Sequence, residues 1–350
     1  MRCFEVSLPR MEEVAQRAEV SLATVDRVLH GRTGVRASTV QRVMRAAADL
    51  GYVAQAEAWA AMAPKPLRLS FLIPEGPNRF LRMLGDLIGY SHEHWAPFNV
   101  RCQAEYVESF NPEALARQLL KHGKKCDGIA FMALEHPMVR EAVASLAEQG
   151  VPTVTLISDL SNSSRAAYVG LDNRAAGRTA AYLIARFMGP AARGRHPKVA
   201  MIAGSLSYRA HEEREAGFLH LFEEQYPGVH VVGAREGQDD EEKNYRQART
   251  LLEQHGDLAG IYNIGGGAAG IGRAIKEVGA SRKPVFIGHG LTPDTRALLI
   301  DGTMDAVITQ NPQGAVMNCV RIFANLRDGR EPTSGVEQVR SQVIFRENLP

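Results

Sequence analysis

The sequence predicts an all-α, three-helix domain followed by a larger α/β domain of two doubly wound lobes with parallel sheets. Apolar residues recur at helical spacing through residues 9–54, and apolar strand-like runs alternate with helical segments through residues 67–345. The chain of 350 residues is long enough for two or three domains. We therefore expect a small domain at 9–54, a linker at 55–66 and a two-lobed domain at 67–345.

The small domain begins with two short helices joined by a tight turn. A core between them is expected from the apolar residues Ala15, Ala18, Val20, Val25, Val28 and Leu29. Ser21 can cap the second helix, because its hydroxyl can accept a backbone N–H that is free at the helix start. The exposed front of that helix would carry Leu22, Ala23, Thr24, Asp26 and Arg27. A helix-turn-helix presents such a surface to the DNA major groove, although any small helical hairpin shares the pattern.

A third helix is expected over residues 37–52, where apolar residues fall on one face and Gly51 ends the helix. The segment that leads into it and through it is basic. Residues 27–48 contain no acid and five arginines, namely Arg27, Arg32, Arg36, Arg42 and Arg45. Such a stripe can neutralise phosphates, although a solvated helix face can carry the same pattern.

These segments resemble the LacI/GalR family of bacterial transcription repressors. The shared pattern is V-A-x-x-A-x-V-S-x-x-T-V-x-R-V-L, then G-x-x-G-V, then R-V-x-x-A-A-x-x-L-G-Y, in order and at the family's spacing. The resemblance implies a DNA-reading headpiece followed by a regulatory domain similar to periplasmic sugar-binding proteins. By resemblance, the positions that read bases are Leu22, Ala23 and Arg27. The positions near phosphates are Ser21, Thr24 and His30.

The headpiece departs from the family pattern at three positions. Glu19 stands where the family usually has a glycine, and a positive φ there would be costly for a glutamate. Asp26 places an anion where the family has a serine, on a helix that faces a polyanion. Arg10 replaces the Thr or Ser that opens the first helix. The operator sequence therefore cannot be copied from relatives.

The linker at 55–66 resembles the family hinge, which forms a short helix on the operator and wedges a leucine into the minor groove. The aligned residue here is Ala61, and the large apolar side chains nearby are Trp59 and Met62. The wedge is therefore in doubt, whereas the alanine-rich sequence still has good helix propensity.

The large domain is predicted to contain parallel sheets covered by helices on both faces. Its strands are expected at 67–73, 100–107, 127–132, 152–157, 167–172, 198–203, 229–233, 260–263, 284–288 and 305–309, with helices between them. In such sheets, ligands bind beyond the carboxyl ends of the strands. The order of elements again resembles the LacI/GalR regulatory domain, and the resemblance extends from about residue 11 to residue 343.

Residue-by-residue comparison with the family gives an expected effector site. Its members are Asn78, Phe80, Asp159, Arg214, Asn263, His289 and Gln310. Arg214 is the strongest of them, because its fork of donors suits sugar hydroxyls or a carboxylate. The family usually has an aspartate where this chain has Gly290. The adjacent His289 is either a ligand contact or a loop histidine.

The segment Gly265-Gly-Gly-Ala-Ala-Gly270 satisfies the dinucleotide-binding pattern G-x-G-x-x-G. An NAD-dependent oxidoreductase is therefore the alternative from another class. It is disfavoured because the pattern occurs late in the chain and the next strand ends without an Asp or Glu at the ribose-binding distance. If the segment does not bind a dinucleotide, its glycines would let the backbone approach a small ligand or form a tight turn.

Composition narrows the remaining classes. The four cysteines, Cys3, Cys102, Cys126 and Cys319, have no metal-binding spacing, and a net charge of +2 predicts no bulk polyelectrolyte behaviour. No catalytic signature, apolar membrane span or signal peptide is recognisable, so we expect a cytoplasmic protein that is not an enzyme and needs no cofactor. A periplasmic solute-binding protein would explain the two lobes but not the headpiece.

The combined interpretation is a homodimeric repressor that reads a near-palindromic, double-stranded operator. A small effector between the lobes would change their closure and thereby the affinity for DNA. The resemblance suggests a sugar, polyol or sugar acid, and whether it acts as inducer or corepressor is left open.

Overall fold

The computed structural model describes residues 10–30, 32, 34–54, 66–90, 98–189, 196–278 and 283–350. The chain divides into two compact units, residues 1–66 and residues 67–350, which are described separately. The hinge residues considered above, Trp59, Ala61 and Met62, lie outside the described residues.

The described part of the first unit contains three helices, α1 (Met11–Ala18), α2 (Leu22–Leu29) and α3 (Ala37–Asp49). Val14, Val25, Val43 and Ala47 are fully buried between them. The Ser21 side chain accepts a hydrogen bond from the backbone N–H of Thr24 at 3.2 Å, as predicted for the cap of α2. The helical spacing of a few small apolar residues is therefore sufficient to specify this core.

The turn between α1 and α2 has a left-handed residue at the position where the sequence departs from the family. Glu19 has φ 53° and ψ 47° and follows the last residue of α1. Its backbone N–H bonds back to the carbonyls at the end of α1, so the chain reverses within one residue. A side chain with a Cβ is strained in this region of φ/ψ space.

The amino-terminal lobe of the second unit is a five-stranded parallel sheet in the order β2-β1-β3-β4-β5. Its strands are β1 (Leu67–Glu75), β2 (Val100–Glu108), β3 (Gly128–Phe131), β4 (Thr153–Leu156) and β5 (Ala167–Val169). Its helices are α4 (Arg79–Tyr90), α5 (Pro112–Gly123) and α6 (Pro137–Glu148). The short central strands β3 and β4 are buried along their whole length, which is why they read as continuous apolar runs.

The carboxy-terminal lobe is a six-stranded sheet in the order β11-β10-β9-β8-β6-β7. Its strands are β6 (Lys198–Ala203), β7 (His230–Glu236), β8 (Leu258–Asn263), β9 (Val285–His289), β10 (Ala306–Thr309) and β11 (Gln342–Ile344). Its helices are α7 (Asn173–Phe187), α8 (Arg209–Gln225), α9 (Glu241–Gln254), α10 (Ala268–Glu277) and α11 (Pro293–Ile300). The antiparallel edge strand β11 was missed by sequence analysis, because three residues are too few to show a period.

Two segments tie the lobes together. Helix α12 (Pro312–Arg327) follows a strand of the carboxy-terminal lobe, yet its residues Cys319, Val320 and Phe323 are buried in the core of the amino-terminal lobe. Tyr208, which precedes α8, is likewise buried in that core, where its ring lies edge-on to Phe110 at 5.5 Å. The carboxyl ends of the two sheets therefore border a shared space.

Candidate functional site

The residues expected to contact DNA lie on α2 and its two ends. Ser21, Ala23, Arg27 and His30 are exposed, Thr24 is half-buried, and the Leu22 side chain is 44% exposed. The opposite side of the helix is buried through Val25 and Val28. Leu22 is apolar and yet faces water, and this side of α2 is free to contact a partner.

Asp26 is held by the side chains that follow α2. An Asp26 carboxylate oxygen lies 3.0 Å from Arg32 Nη1, and His30 Nδ1 lies 3.0 Å from the other oxygen and 2.8 Å from the Asp26 carbonyl. The arginine offsets the negative charge that the sequence places on this helix. The departure from the family at Asp26 is thus accompanied by a cation only six residues later.

A cavity of about 250 Å³ lies between the two lobes, beyond the carboxyl ends of their strands. The amino-terminal lobe contributes residues 77–82, Met132 and Ile157 to its wall. The carboxy-terminal lobe contributes the loops after β7, β8, β9 and β10 together with His211 and Arg214 of α8. This is the location at which open α/β sheets bind ligands, and the volume is near the lower end of the range for small-molecule sites.

Five of the seven residues expected at the effector site line this cavity, namely Asn78, Phe80, Arg214, His289 and Gln310. They come from four separate segments of the chain. Asp159 and Asn263 are not among the lining residues.

Arg214 is a buried cation on the cavity wall, with 6% of its surface exposed. Its Nε donates to Asn173 Oδ1 at 2.8 Å, and its Nη1 donates to the carbonyl of Ile264 at 2.9 Å. Burial lowers the pKa of the guanidinium from its usual value. An arginine nevertheless stays charged at neutral pH and has five N–H groups, so this one can also bind a ligand.

Close packing of α7 against α8 positions this arginine. A Cβ at Gly177 of α7 would overlap the Arg214 carbonyl, and a Cβ at Gly217 of α8 would overlap the Arg174 carbonyl. Two glycines on facing helices therefore bring the backbones into contact. As a result Asn173, at the start of α7, reaches the guanidinium.

Asn78 and Asp239 connect the lobes across the cavity. Asn78 Nδ2 donates to Asp239 Oδ2 at 2.9 Å, while Asn78 Oδ1 accepts from the backbone N–H of Phe80 at 3.1 Å at the start of α4. The other oxygen of Asp239 accepts from the N–H of Gly266 at 2.6 Å. Asp239 is 5% exposed and has φ 58°.

Sequence analysis missed Asp239 and His211. Asp239 follows β7 in the segment Gly237-Gln-Asp-Asp, which reads as an ordinary turn, although aspartate is one of the residues that tolerate positive φ. His211 lies within an apparently regular helix. Its Nδ1 is 2.9 Å from the Ser205 carbonyl, and burial lowers the pKa of His211 to about 4.

His289 is fixed by a buried tyrosine. The Tyr262 hydroxyl lies 2.6 Å from His289 Nε2, and the Tyr262 ring stacks on Phe218 with centroids 5.0 Å apart. Burial lowers the pKa of His289 well below its usual value, so the imidazole is neutral at neutral pH. His289 is therefore a rigid, uncharged part of the cavity wall rather than a free loop side chain.

Asp159 and Asn263 are engaged elsewhere. The Asp159 carboxylate binds Arg165, with Nη2 at 2.5 Å, and accepts from the Thr155 hydroxyl at 2.6 Å. Asn263 is fully buried, and its Nδ2 donates to the Gly266 carbonyl at 3.0 Å. Asn263 consequently fixes the loop after β8 from the buried side of that loop.

The glycines of residues 265–270 are explained by close packing. A Cβ at Gly266 would lie 3.1 Å from Asp239 Cβ, and one at Gly267, where φ is 68°, would lie 2.5 Å from Asn244 Nδ2. A Cβ at Gly270 would overlap the Glu241 carbonyl at the start of α9. The resemblance to a dinucleotide loop thus has a structural origin in the contact between this loop, Asp239 and α9.

Comparison with known proteins agrees with both units. Residues 10–55 match the lacI family of bacterial regulatory proteins, and residues 108–331 match the periplasmic binding protein domain. The chain belongs to the periplasmic binding protein domain family, and its residues 10–55 form a lacI-family domain. This regulator is 25% identical to an uncharacterized HTH-type transcriptional regulator from the aml 5' region of Streptomyces limosus, over 97% of this chain and 91% of that protein.

Further similarity is found for the second unit. The D-allose-binding periplasmic protein of Escherichia coli is 27% identical over 54% of this chain and 62% of that protein. The crystal structure of GanP, a glucose-galactose binding protein from Geobacillus stearothermophilus, covers 82% of this chain and all of its own at a TM-score of 0.72 and 24% identity. The predicted fold class is confirmed for the α/β domain by this structural match and for the headpiece by the match of residues 10–55.

The comparisons also decide between the predicted functions. The protein is a DNA-binding transcriptional regulator, as predicted, and its relatives are regulators and binding proteins rather than enzymes. The NAD-dependent oxidoreductase finds no support among them. Within the described ranges, no helix is long and apolar enough to cross a membrane, and no cluster of His, Cys, Asp and Glu side chains could hold a metal ion.

Proposed function

We propose that this regulator is a repressor whose operator affinity is controlled by a sugar or polyol bound in the cavity between its lobes. The observation that carries the proposal is the composition of the cavity wall, where polar groups of both lobes converge on one enclosed space. Two relatives of the second unit, a D-allose-binding protein and a glucose-galactose binding protein, support a carbohydrate ligand.

The two-lobed wall supplies the regulatory coupling. Asn78 and Phe80 belong to one lobe, whereas Arg214 and Gln310 belong to the other. A ligand that binds all of them gains its full binding energy only when the lobes are closed. It therefore shifts the population towards the closed state by the difference between its affinities for the closed and the open state.

Thermal-shift measurements on the full-length protein test the ligand class. The probes are D-allose, D-glucose, D-galactose, D-arabinose and D-ribitol, with NAD as the probe for the enzyme alternative. We expect at least one carbohydrate to raise Tm, and Asn78→Ala and Gln310→Ala to reduce the rise. Gln149→Ala, an exposed amide at the end of α6, is the control. Stabilisation by NAD and by none of the carbohydrates would contradict the proposal.

The DNA contacts of the headpiece are tested by electrophoretic shift with DNA from upstream of the regulator's own gene. Arg27→Ala should weaken binding about 10- to 100-fold, because an arginine on a recognition helix contacts base edges or phosphates. Arg249→Ala, an exposed arginine of the second unit, controls for net charge. Selection of genomic fragments that yields no bound sequence would refute sequence-specific binding.

We infer that the protein acts as a homodimer through α4 and the edge strand β2. This surface exposes three large side chains, with Tyr90 at 86%, Tyr106 at 44% and Met83 at 41%. A second copy of the chain is the proposed occupant, because a two-fold operator calls for a two-fold protein. Tyr90→Asp should convert a dimer to a monomer in sedimentation velocity, with Tyr182→Asp, an exposed tyrosine of α7, as the control. A monomeric wild type would contradict this inference.

A further inference from the structure

We propose that Asp239 provides the ligand-binding carboxylate of the cavity and makes it selective for neutral, hydroxyl-bearing ligands over the corresponding acids. This inference rests on the proposed carbohydrate effector and names the group that sets its charge preference. Sequence analysis found Gly290 where the family has an aspartate. Asp239 comes from the loop after a different strand, β7, and lines the same cavity.

The two positions face neighbouring parts of one segment. A Cβ at Gly290 would lie 3.4 Å from the Phe80 side chain, whereas the Asp239 carboxylate binds Asn78, two residues earlier. The carboxylate that is absent at position 290 is thus present at position 239, next to the same segment.

The fold accommodates Asp239 at some cost. Its backbone is left-handed, as is that of the preceding Gln238, and its carboxylate is enclosed by the glycine loop after β8. A non-glycine residue keeps such a conformation only when the surroundings fix it, and strained residues of this kind concentrate at binding sites. Two N–H donors, from Asn78 and Gly266, orient the carboxylate oxygens.

The charges on the cavity wall do not favour an anion. The described lining residues include three arginines and three acidic residues, namely Arg79, Arg82, Arg214, Asp239, Glu241 and Asp294. Arg79 Nε is already paired with Asp294 at 2.8 Å, and Arg82 Nε donates to the Gly76 carbonyl. The charge of Arg214 is opposed by the buried Asp239, so a ligand carboxylate would be attracted by one and repelled by the other.

The hydrogen-bonding capacity of the wall also favours a donor-rich ligand. Gln310 is 6% exposed, and its Oε1 has no hydrogen-bond partner among the residues that the structure describes. Each Asp239 oxygen can accept a second hydrogen bond. Hydroxyl groups can donate to all of these atoms, whereas a ligand carboxylate can only accept.

The test compares matched neutral and acidic probes on the full-length protein by thermal shift and titration calorimetry. The pairs are D-glucose with D-glucuronate, D-galactose with D-galacturonate, D-ribose with D-ribonate and D-allose with D-allonate, at pH 7.5. We expect wild type to bind the neutral member of a pair at least about 100-fold more tightly, as sites built around hydroxyl recognition do. Asp239→Asn should weaken binding of the neutral ligand about tenfold. It should also lower the ratio of neutral to acidic affinity at least tenfold.

Two further variants isolate the charge from the fold. Asp239→Glu keeps the negative charge but moves it. Binding of the neutral ligand should therefore weaken, while the acidic ligand should still bind poorly. Glu242→Gln removes a charge from the exposed side of α9 and should leave both affinities unchanged. Wild type that prefers the acidic members, or Asp239→Asn that keeps the full preference, would overturn the inference while leaving the carbohydrate effector standing. Failure of every probe to bind wild type would overturn both.

Discussion

The headpiece and the cavity between the lobes depend on the sequence in different ways. The residues predicted to contact DNA lie within residues 21–30, and the core behind them is formed within residues 11–53. The cavity wall instead draws on segments from residue 77 to residue 310, and its Asn78–Asp239 hydrogen bond joins residues 161 positions apart. The recognition surface is thus encoded by neighbours in the chain and the effector cavity by its tertiary fold.

The largest expected effect lies in the cavity. Arg214→Ala leaves Asn173 Oδ1 and the Ile264 carbonyl without their donor in a buried site, so the free energy of unfolding should fall by about 2–4 kcal/mol. Urea denaturation of the second unit measures this. Arg249→Ala, which breaks surface ion pairs with Glu253 and Glu277, should change the free energy by less than about 1 kcal/mol. Equal losses in both variants would show that the cavity does not rely on this long-range contact.

Acid should destabilise the second unit through its buried histidines. The pKa of His211 is about 4 in the folded protein and near 6.5 when unfolded, so between these values the unfolded chain binds more protons. Stability is therefore unaffected above about pH 6.5 and falls as the pH drops from about 6.5 to about 4, by up to about 1.4 kcal/mol per pH unit for each such histidine. His289 adds to the effect with the same sign.

Urea midpoints of the second unit measured from pH 7.5 to pH 4.5 check this slope. His211→Gln should flatten it, whereas His255→Gln, at the end of α9, should not. An unchanged slope in His211→Gln would show that this histidine does not titrate on unfolding.

The success of prediction from the sequence follows the same division between local patterns and long-range contacts. The helix periods, the Ser21 cap and the succession of strands and helices along the two lobes depend on local patterns, and so they could be predicted. Five cavity residues were reached only because the family resemblance supplied the tertiary arrangement. Asp239 and His211 could not be reached in this way, since their roles arise from contacts with Asn78, Gly266 and Ser205 that no local pattern reports. Asp159 has the expected position after β4, but Arg165 and Thr155 bind it within its own lobe.

The packing of α7 on α8 gives a second long-range test of intermediate size. Gly217→Ala places a methyl group against the Arg174 carbonyl, where neither helix backbone can yield, and should cost about 1–3 kcal/mol. Because Asn173 and Arg214 are aligned by this contact, the ligand-induced rise in Tm should shrink as well. Gly256→Ala has open space around its Cβ and should be close to neutral. Retained stability and ligand response in Gly217→Ala would show that the two helices can separate without disturbing Arg214.

The smallest effect is expected in the headpiece, where a local change should act without reaching the cavity. Glu19 has φ 53°, so Glu19→Gly relieves the strain of a Cβ in the left-handed region and should stabilise the helix pair by about 1 kcal/mol. Glu13→Gly, in the first turn of α1, should instead destabilise it by about 1 kcal/mol, because glycine is a poor helix former.

Hydrogen exchange of the α1 and α2 amides in the full-length protein measures both changes, each as about a fivefold shift in protection. Ligand-induced changes in Tm should be the same in both variants as in wild type. A loss of protection in Glu19→Gly would mean that the glutamate contributes more through its side chain than it costs through its backbone. The strained backbone of Glu19 would then be maintained by an interaction of its side chain with the headpiece or with bound DNA.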